Sequence, residues 1–213
     1  MPSFLTVLPL AFVMIAGPQI LSAIFLATSE KWAKNSAAFL AGVLITVTLF
    51  VSIAYVVVRL LSDAAGSSHE STTHRWIDGG LLVLLAFAAW NTWHGRKTSK
   101  PPKWMGKLEE ATPKMSFRLG FLLLGLFPTD IATNIVVGSH LARDGNPWWY
   151  CLPFVLLVLL FEALPVLFVV LLGKRAAEIL PKVRDWMNTN SWIVSEIVLV
   201  FFIFLEAKNL IGS

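Results

Sequence analysis

Two acidic residues, Asp130 and Glu162, lie within long apolar stretches of the sequence. A charged side chain at the centre of a lipid bilayer costs about 2.5 to 3.5 kcal/mol on insertion scales, so such residues usually face a helix bundle and mark substrate or proton pathways. The sequence has no Lys or Arg at a comparable depth that could neutralise either carboxyl group. Each one is therefore expected to be protonated, hydrated or paired with a bound cation, and Asp130 is the stronger candidate for proton exchange.

Further polar residues cluster around two prolines. Pro18 interrupts the apolar residues 15–22, and Pro128 interrupts residues 126–133. A proline removes a backbone donor and clashes with the preceding turn, so each predicted helix should kink or unwind there. Unwound backbone inside a membrane must be buried in protein or line a wet cavity, where it can meet a ligand. The polar side chains at the two breaks, and hence the candidate binding residues, are Gln19, Ser22, Thr129, Asp130, Thr133 and Asn134.

Two hydroxyl residues in the second apolar stretch have an open role. Ser52 aligns with Glu162 when the two halves of the chain are superimposed, and Tyr55 follows three residues later. Hydroxyl side chains often join membrane helices by hydrogen bonds. Two interpretations therefore stay open for Ser52 and Tyr55, which either belong to the binding site or hold the helices together.

No catalytic or metal-binding constellation is found in the sequence. It has no glycine-rich phosphate loop, no nucleophile elbow and no His paired with a buried carboxylate. The single cysteine, Cys151, and four scattered His residues do not make a metal motif. We therefore predict no enzyme activity, no cofactor and no metal. A lipid-processing enzyme that uses Asp130 and Glu162 as acid and base is kept as an alternative.

The candidate site residues can lie inside a membrane only if the chain forms helices that cross it. The amino-acid composition indicates such helices. Hydrophobic residues make up 56% of the 213 residues and charged residues 14%, against about 25% charged in an average soluble domain. A helix needs about 20 apolar residues to cross the hydrocarbon core. The prediction is an all-α integral membrane protein with a single membrane domain. Its six apolar blocks are residues 4–28, 37–61, 76–93, 119–141, 149–172 and 191–210.

The two halves of the chain resemble each other in the spacing of these blocks. A shift of 110 residues superimposes Pro18 on Pro128 and the second block on the fifth. Each half contains three crossings, an odd number, so the second half enters the membrane from the opposite side. We predict two inverted repeats with broken first and fourth helices, namely residues 1–95 and 119–213, joined by a basic cytoplasmic linker at 96–118. Inverted repeats recur in secondary transporters, because two such halves can open a central site to either side.

The distribution of basic residues indicates the orientation of the chain. Positive residues favour cytoplasmic loops. All of the 17 Lys and Arg residues lie in or beside the first, third and fifth connections, except Arg59, Arg75, Arg143 and Lys208. Both termini of this multi-pass protein are therefore predicted to lie outside the cytoplasm. The basic linker would also attract phosphate, but contact with anionic lipid headgroups is the commoner role of such clusters, and we predict no nucleic-acid partner.

One connection has a pattern of its own. Residues 174–185 place apolar side chains amid alternating charges. This pattern is typical of an amphipathic helix that lies in the membrane interface with its apolar face towards the acyl chains. We predict such a helix on the cytoplasmic surface, between the fifth and sixth blocks.

Three features of the sequence together resemble a known family. Residues 16–20 read Ala-Gly-Pro-Gln-Ile, residues 127–131 read Phe-Pro-Thr-Asp-Ile, and the long middle loop is basic. This pattern resembles the LysE-type exporter superfamily, and within it the GAP/Sap branch of small glycolipid- and sulfolipid-addressing membrane proteins. The resemblance spans nearly the whole chain. One departure is Ala16, since a typical amino-acid exporter of the superfamily reads Pro-Gly-Pro at the first break.

The resemblance implies a transporter that moves envelope glycolipids or peptidoglycolipids across the bacterial plasma (inner) membrane. It implies no ATPase motor in the chain, so coupling to an ion or proton gradient is expected. Substrate and coupling contacts would lie at the two breaks, with Gln19, Thr129 and Asp130. Membrane lipids and the glycolipid are the implied partners, while a homodimer and an association with envelope lipid-export machinery stay open. Export of amino acids or other small solutes ranks second, because the interior offers no buried cation to hold an anionic group.

Overall fold

The fold is taken from a computed structural model, which describes residues 8, 10–15, 18–65, 108 and 110–190. All regular structure in these residues is helical, as predicted. The predicted third and sixth apolar blocks lie outside the described residues, as does most of the basic linker. The count of six crossings and the inverted repeat therefore stay predictions.

The described part of the chain contains seven α-helices and a short 3-10 turn, Trp148–Cys151, that leads into the sixth helix. The helices are α1 Leu10–Ile15, α2 Pro18–Ala27, α3 Trp32–Ala65, α4 Pro113–Leu126, α5 Pro128–Arg143, α6 Leu152–Leu172 and α7 Lys174–Thr189. Two segments of the described chain, Trp32–Leu60 and Trp148–Leu172, are long and apolar enough to cross a membrane. The helices α4 and α5 are bent by 69° at their junction and make a third crossing if they count as one span.

The helix α4 begins earlier than the apolar pattern indicates, inside the segment predicted to be the linker. The Thr112 side chain accepts a hydrogen bond from the Met115 backbone N–H at 3.3 Å, and Pro113 occupies the first helical position. A capping threonine and a proline at this position both favour the start of a helix. The apolar block begins only at residue 119, because hydrophobicity along the sequence does not report the capping residues that start the helix.

The long helix α3 lies at the centre of the described bundle and packs along both α4 and α5. Its buried stripe consists of Phe39, Val43, Val47 and Val51, which are spaced four residues apart and therefore lie on one face. Large apolar side chains on the other face, such as Ile53, are exposed. A continuous exposed apolar face is expected where lipid, not water, surrounds the protein.

Glycines bring the backbones of α3 and α4 into direct contact. A methyl group added at Gly120 would overlap the carbonyl oxygen of Phe39, and one added at Gly42 would overlap the carbonyl oxygen of Phe117. Small residues commonly allow such close approach between membrane helices, where association depends on van der Waals packing. These contacts fix how α4, and the break that follows it, lie against α3.

The amphipathic helix predicted after the fifth block is present as α7. It follows Gly173, whose positive φ of 52° allows a sharp change of direction. The side chains of Ala176 and Leu180 pack against Ile24 and Ala27 of α2. The position of α7 at the cytoplasmic membrane surface stays a prediction, but its contact with α2 ties it to the first broken helix.

Candidate functional site

The second predicted helix break is present in the structure, and at the first the structure describes two separate helices, with residues 16 and 17 between them outside the described residues. The helix α1 ends at Ile15 and α2 begins at Pro18, while α4 ends at Leu126 and α5 begins at Pro128. Between α4 and α5, Phe127 adopts an extended conformation, with φ −70° and ψ 128°. A residue that precedes proline is disfavoured in the α conformation, so Pro128 forces the break and then starts the next helix.

A buried hydrogen bond joins α2 and α5 beside the two prolines. The Gln19 side chain donates from Nε2 to the Asp130 Oδ2 atom at 2.6 Å, across 111 residues of sequence. Both side chains are buried, with 1% and 0% of their surface exposed. Each residue lies in the first turn of its helix, so the bond links the start of α2 to the start of α5.

The hydroxyl residues near the breaks bond to their own helices. Ser22 Oγ donates to the Pro18 carbonyl oxygen at 2.6 Å, and Thr133 Oγ1 donates to the Thr129 carbonyl oxygen at 2.8 Å. Both bonds run from a hydroxyl group to the carbonyl oxygen four residues earlier, which is a common way for a hydroxyl side chain in a helix to satisfy its hydrogen-bond donor. Ser22 and Thr133 therefore stabilise the first turns of α2 and α5. Like Gln19 and Asp130, they are separated by 111 residues, one more than the two prolines.

A second carboxyl group approaches the same region from α6. Glu162 is buried, with 1% of its surface exposed, and it lies within electrostatic range of Asp130. Pro165 follows inside the same helix and cannot donate to the carbonyl of Phe161, so a backbone acceptor next to Glu162 loses its helical partner. The two acidic residues singled out by the sequence are therefore both buried and interact electrostatically with each other.

The site contains more hydrogen-bond acceptors than donors. Asn134 lies one turn after Asp130 on α5 and is also fully buried. Within the described residues, the side-chain atoms of the site that have no hydrogen-bond partner are Gln19 Oε1, Asp130 Oδ1, Glu162 Oε1, Glu162 Oε2 and both Asn134 amide atoms. A buried polar group without a partner costs about 1 to 3 kcal/mol, so a bound species is the natural explanation for so many together.

Ser52 and Tyr55 lie on α3 and make hydrogen bonds to the segment between α5 and α6. The Trp148 indole donates from Nε1 to Ser52 Oγ at 2.8 Å, and the Tyr55 hydroxyl donates to the Asn146 carbonyl oxygen at 2.9 Å. Arg59 in turn donates to the Tyr55 hydroxyl oxygen at 3.1 Å. These contacts favour the interpretation in which both residues hold elements together. The contact of Trp148 could not be predicted from the sequence, because Trp at a block boundary is also typical of a membrane anchor.

The sequence was compared with known families. The sequence matches the family described as Sap, sulfolipid-1-addressing protein, over residues 7–211, which include every helix described above and every residue of the candidate site. The match confirms the GAP/Sap resemblance that the two breaks and the basic loop indicate. Comparison with curated proteins and with solved structures gave no match.

Proposed function

The chain belongs to the Sap, sulfolipid-1-addressing protein family, and from this premise we propose that it transports an envelope glycolipid or peptidoglycolipid across the bacterial plasma membrane. Membership of this family indicates a role in lipid addressing. The observation that carries the proposal is the buried bond between Gln19 and Asp130, because it joins polar side chains at the two predicted breaks of an apolar protein. Broken helices with polar residues at the break are a recurring form of transporter binding site.

A sugar headgroup fits the unpartnered atoms of the site. The free atoms of Gln19, Asp130 and Glu162 are all acceptors, and a sugar presents many hydroxyl donors. Hydrogen bonds from a hydroxyl to a carboxylate are among the stronger kinds. The lipid tails would stay in the bilayer, against exposed apolar side chains such as Leu156 and Leu171 of α6.

The bond between Gln19 and Asp130 is also suited to control passage of the headgroup. The N-terminus of α5 stabilises a negative charge on Asp130, whereas burial away from water opposes it. A change in the charge or occupancy of this carboxyl group alters the strength of the bond, and with it the separation of α2 and α5. This sensitivity supports coupling of lipid movement to an ion or proton gradient.

The arrangement predicted from the sequence is part of the proposal. Six helices in two inverted repeats, with both termini outside the cytoplasm, would let the halves open the site alternately to the two sides. The described breaks at Pro18 and Pro128, one in each half, support this arrangement. A homodimer and an association with envelope lipid-export machinery are both compatible with it.

The test is a lipid translocation assay in vesicles that contain the purified protein. A sulfated glycolipid is placed in the inner leaflet, and membrane-impermeant periodate outside the vesicle oxidises the vicinal diols of each sugar that arrives in the outer leaflet. We expect protein-dependent oxidation of the glycolipid. Phosphatidylglycerol is the matched control, because its headgroup also carries a vicinal diol and should react no faster than in protein-free vesicles.

Other results would point to another function. Equal movement of both lipids would indicate an unspecific scramblase, and protein-dependent uptake of amino acids without glycolipid movement would indicate a small-solute exporter. A chemically altered glycolipid in the absence of periodate would indicate the lipid-processing enzyme. Each of these three outcomes contradicts the proposal.

The hydrogen bond from Tyr55 should stabilise the loop between α5 and α6. Replacement of Tyr55 by Phe removes the hydrogen bond to the Asn146 carbonyl, which should lower the free energy of unfolding by about 1 kcal/mol. Glycolipid movement should stay at the wild-type rate, because the hydrogen bonds of this side chain are to Asn146 and Arg59, which are not residues of the candidate site. Thermal unfolding in detergent and the periodate assay measure the two effects. Slow translocation by a variant with wild-type stability would instead place Tyr55 on the lipid pathway.

A further inference from the structure

The four buried residues Gln19, Asp130, Asn134 and Glu162 combine two carboxyl groups with two amide groups. A bound lipid headgroup alone does not explain this combination. We infer that they bind one sodium ion. The binding of the ion can be tested without any lipid, while its role as the driving ion rests on the proposed function.

Five oxygen atoms of these side chains lack a hydrogen-bond donor within the described residues. They are Gln19 Oε1, Asp130 Oδ1, Asn134 Oδ1, Glu162 Oε1 and Glu162 Oε2. The Gln19 amide nitrogen already donates to Asp130 Oδ2, so the amide oxygen on the same group is held beside the carboxyl group with nothing to accept from. A positively charged species would satisfy several of these oxygens at once.

No side chain of the described protein supplies that positive charge. The helices α1 and α2 contain no charged residue, and Glu162 is the only one in α6. The basic side chains that the structure describes on α3, α4 and α5 are exposed or half-buried, namely Lys34, Arg59, Lys114, Arg118, His140 and Arg143. The described helices therefore provide no counter-charge for the two buried acidic groups, and a cation from solution would supply one.

The mixture of ligands favours a metal ion over a proton. A proton shared between two carboxyl groups satisfies one pair of oxygens and leaves the amide oxygens of Gln19 and Asn134 without a donor. A metal ion with several hard oxygen ligands can use both amide oxygens and both carboxyl groups together.

The small number of acidic ligands favours a monovalent ion. Calcium and magnesium sites usually combine several carboxylates, carbonyls or retained waters. The described residues contain no group of three or more His, Cys, Asp or Glu side chains that could hold a metal. One ionised carboxyl group, one protonated carboxyl group and two neutral amides balance a singly charged ion such as sodium, which transporters bind beside the broken ends of helices.

Sodium and a sugar headgroup would compete for the same oxygens. Occupation of Asp130 Oδ1 and Gln19 Oε1 by the ion leaves fewer acceptors for sugar hydroxyls, and the reverse also holds. Such competition is the requirement for an exchange cycle, in which the ion enters as the lipid leaves. Because Gln19 lies on α2, it is also the residue through which this helix would respond to whether the ion or the sugar is bound.

The test measures sodium binding to the purified full-length chain in detergent. Radioactive ²²Na⁺ is titrated at fixed pH and ionic strength, with choline as the replacement cation. We expect saturable binding of one ion per chain. The variants Asp130→Asn and Glu162→Gln should lose it, and Gln19→Leu should weaken it by about tenfold or more. The matched control is Thr46→Val, which removes a buried hydroxyl that donates to the Phe121 carbonyl, away from these ligands.

A second measurement needs no variant. At constant ionic strength, sodium should raise the melting temperature of the wild-type protein in a saturable manner, because a ligand that binds only the folded state stabilises it. Absence of saturable sodium binding and of this shift would overturn the inference. A melting temperature that depends on pH but not on sodium would replace it with a proton site, and displacement of sodium by micromolar calcium would replace it with a divalent site.

The outcomes also separate this inference from the proposed function. Glycolipid movement at full rate in sodium-free choline buffer would overturn the sodium site as the coupling site and leave the transporter proposal intact. Sodium binding without glycolipid movement would do the reverse.

Discussion

Replacement of Asp130 by Asn is expected to reduce glycolipid movement to the rate of protein-free vesicles, while the protein still folds and inserts. Asparagine has nearly the same shape, and its amide oxygen can still accept the hydrogen bond from Gln19 Nε2. The variant therefore keeps the link between α2 and α5 but loses the group that can change its charge. The initial rate of periodate oxidation of the sulfated glycolipid measures the effect.

A control on the same helix separates loss of function from loss of structure. Ser139 is buried on α5, nine residues after Asp130 and outside the candidate site. The Ser139→Ala variant should insert in the same amount, melt within a few degrees of the wild type and move glycolipid at the same rate. Full translocation by the Asp130→Asn variant would show that transport requires no change of charge at this position.

Replacement of Gly120 by Ala is expected to destabilise the protein more than any other single methyl group added to α4. The new methyl group would overlap the backbone carbonyl of Phe39, which cannot rotate away as a side chain can. Overpacking of a core typically costs about 1 to 3 kcal/mol, and we expect a value near the upper end because two helix backbones must separate. The melting temperature and the yield of monodisperse protein in detergent measure the effect.

The matched control for Gly120 lies five residues later on the same helix. A methyl group at Gly125 would meet only side-chain atoms, Thr46 Cγ2 at 3.2 Å and the Phe50 ring at 3.6 Å. These atoms can shift by the few tenths of an ångström that are needed, so Gly125→Ala should change the melting temperature little. Equal melting temperatures of the two variants would contradict the close contact between α3 and α4.

The breaks were predictable from the sequence because their cause is local. Pro18 and Pro128 cannot continue the preceding helices, and this property does not depend on the rest of the fold. The burial of Asp130 and Glu162 followed from the same kind of reasoning, since a charged residue within an apolar stretch rarely faces lipid. The all-helical class was equally accessible from block length and composition.

The pairing of the two breaks was not predictable, because it depends on how distant helices lie against each other. A shift of 110 residues aligns the prolines but places Gln19 opposite Thr129, whereas the structure bonds Gln19 to Asp130. One residue along a helix turns the side chain by about 100°, so only the packed structure decides which neighbour is met.

The roles of Ser52 and Tyr55 depended on contacts that the sequence does not specify. Their partners, Trp148 and Asn146, lie more than 90 residues away in a loop, at separations of 96 and 91 residues. The start of α4, by contrast, was predictable from local residues. The Thr112 cap and Pro113 signal the start of a helix, but a prediction based only on apolar residues does not use them.

The shortness of α2 has a kinetic consequence for a lipid that crosses the membrane. A helix of 10 residues rises about 15 Å, which is half of a hydrocarbon core of about 30 Å. In the proposed transport, a headgroup that reaches Gln19 at the start of this helix would have completed about half of its journey. One high barrier to desolvation would then be divided into two lower ones, and the rate of crossing would depend on the higher of the two.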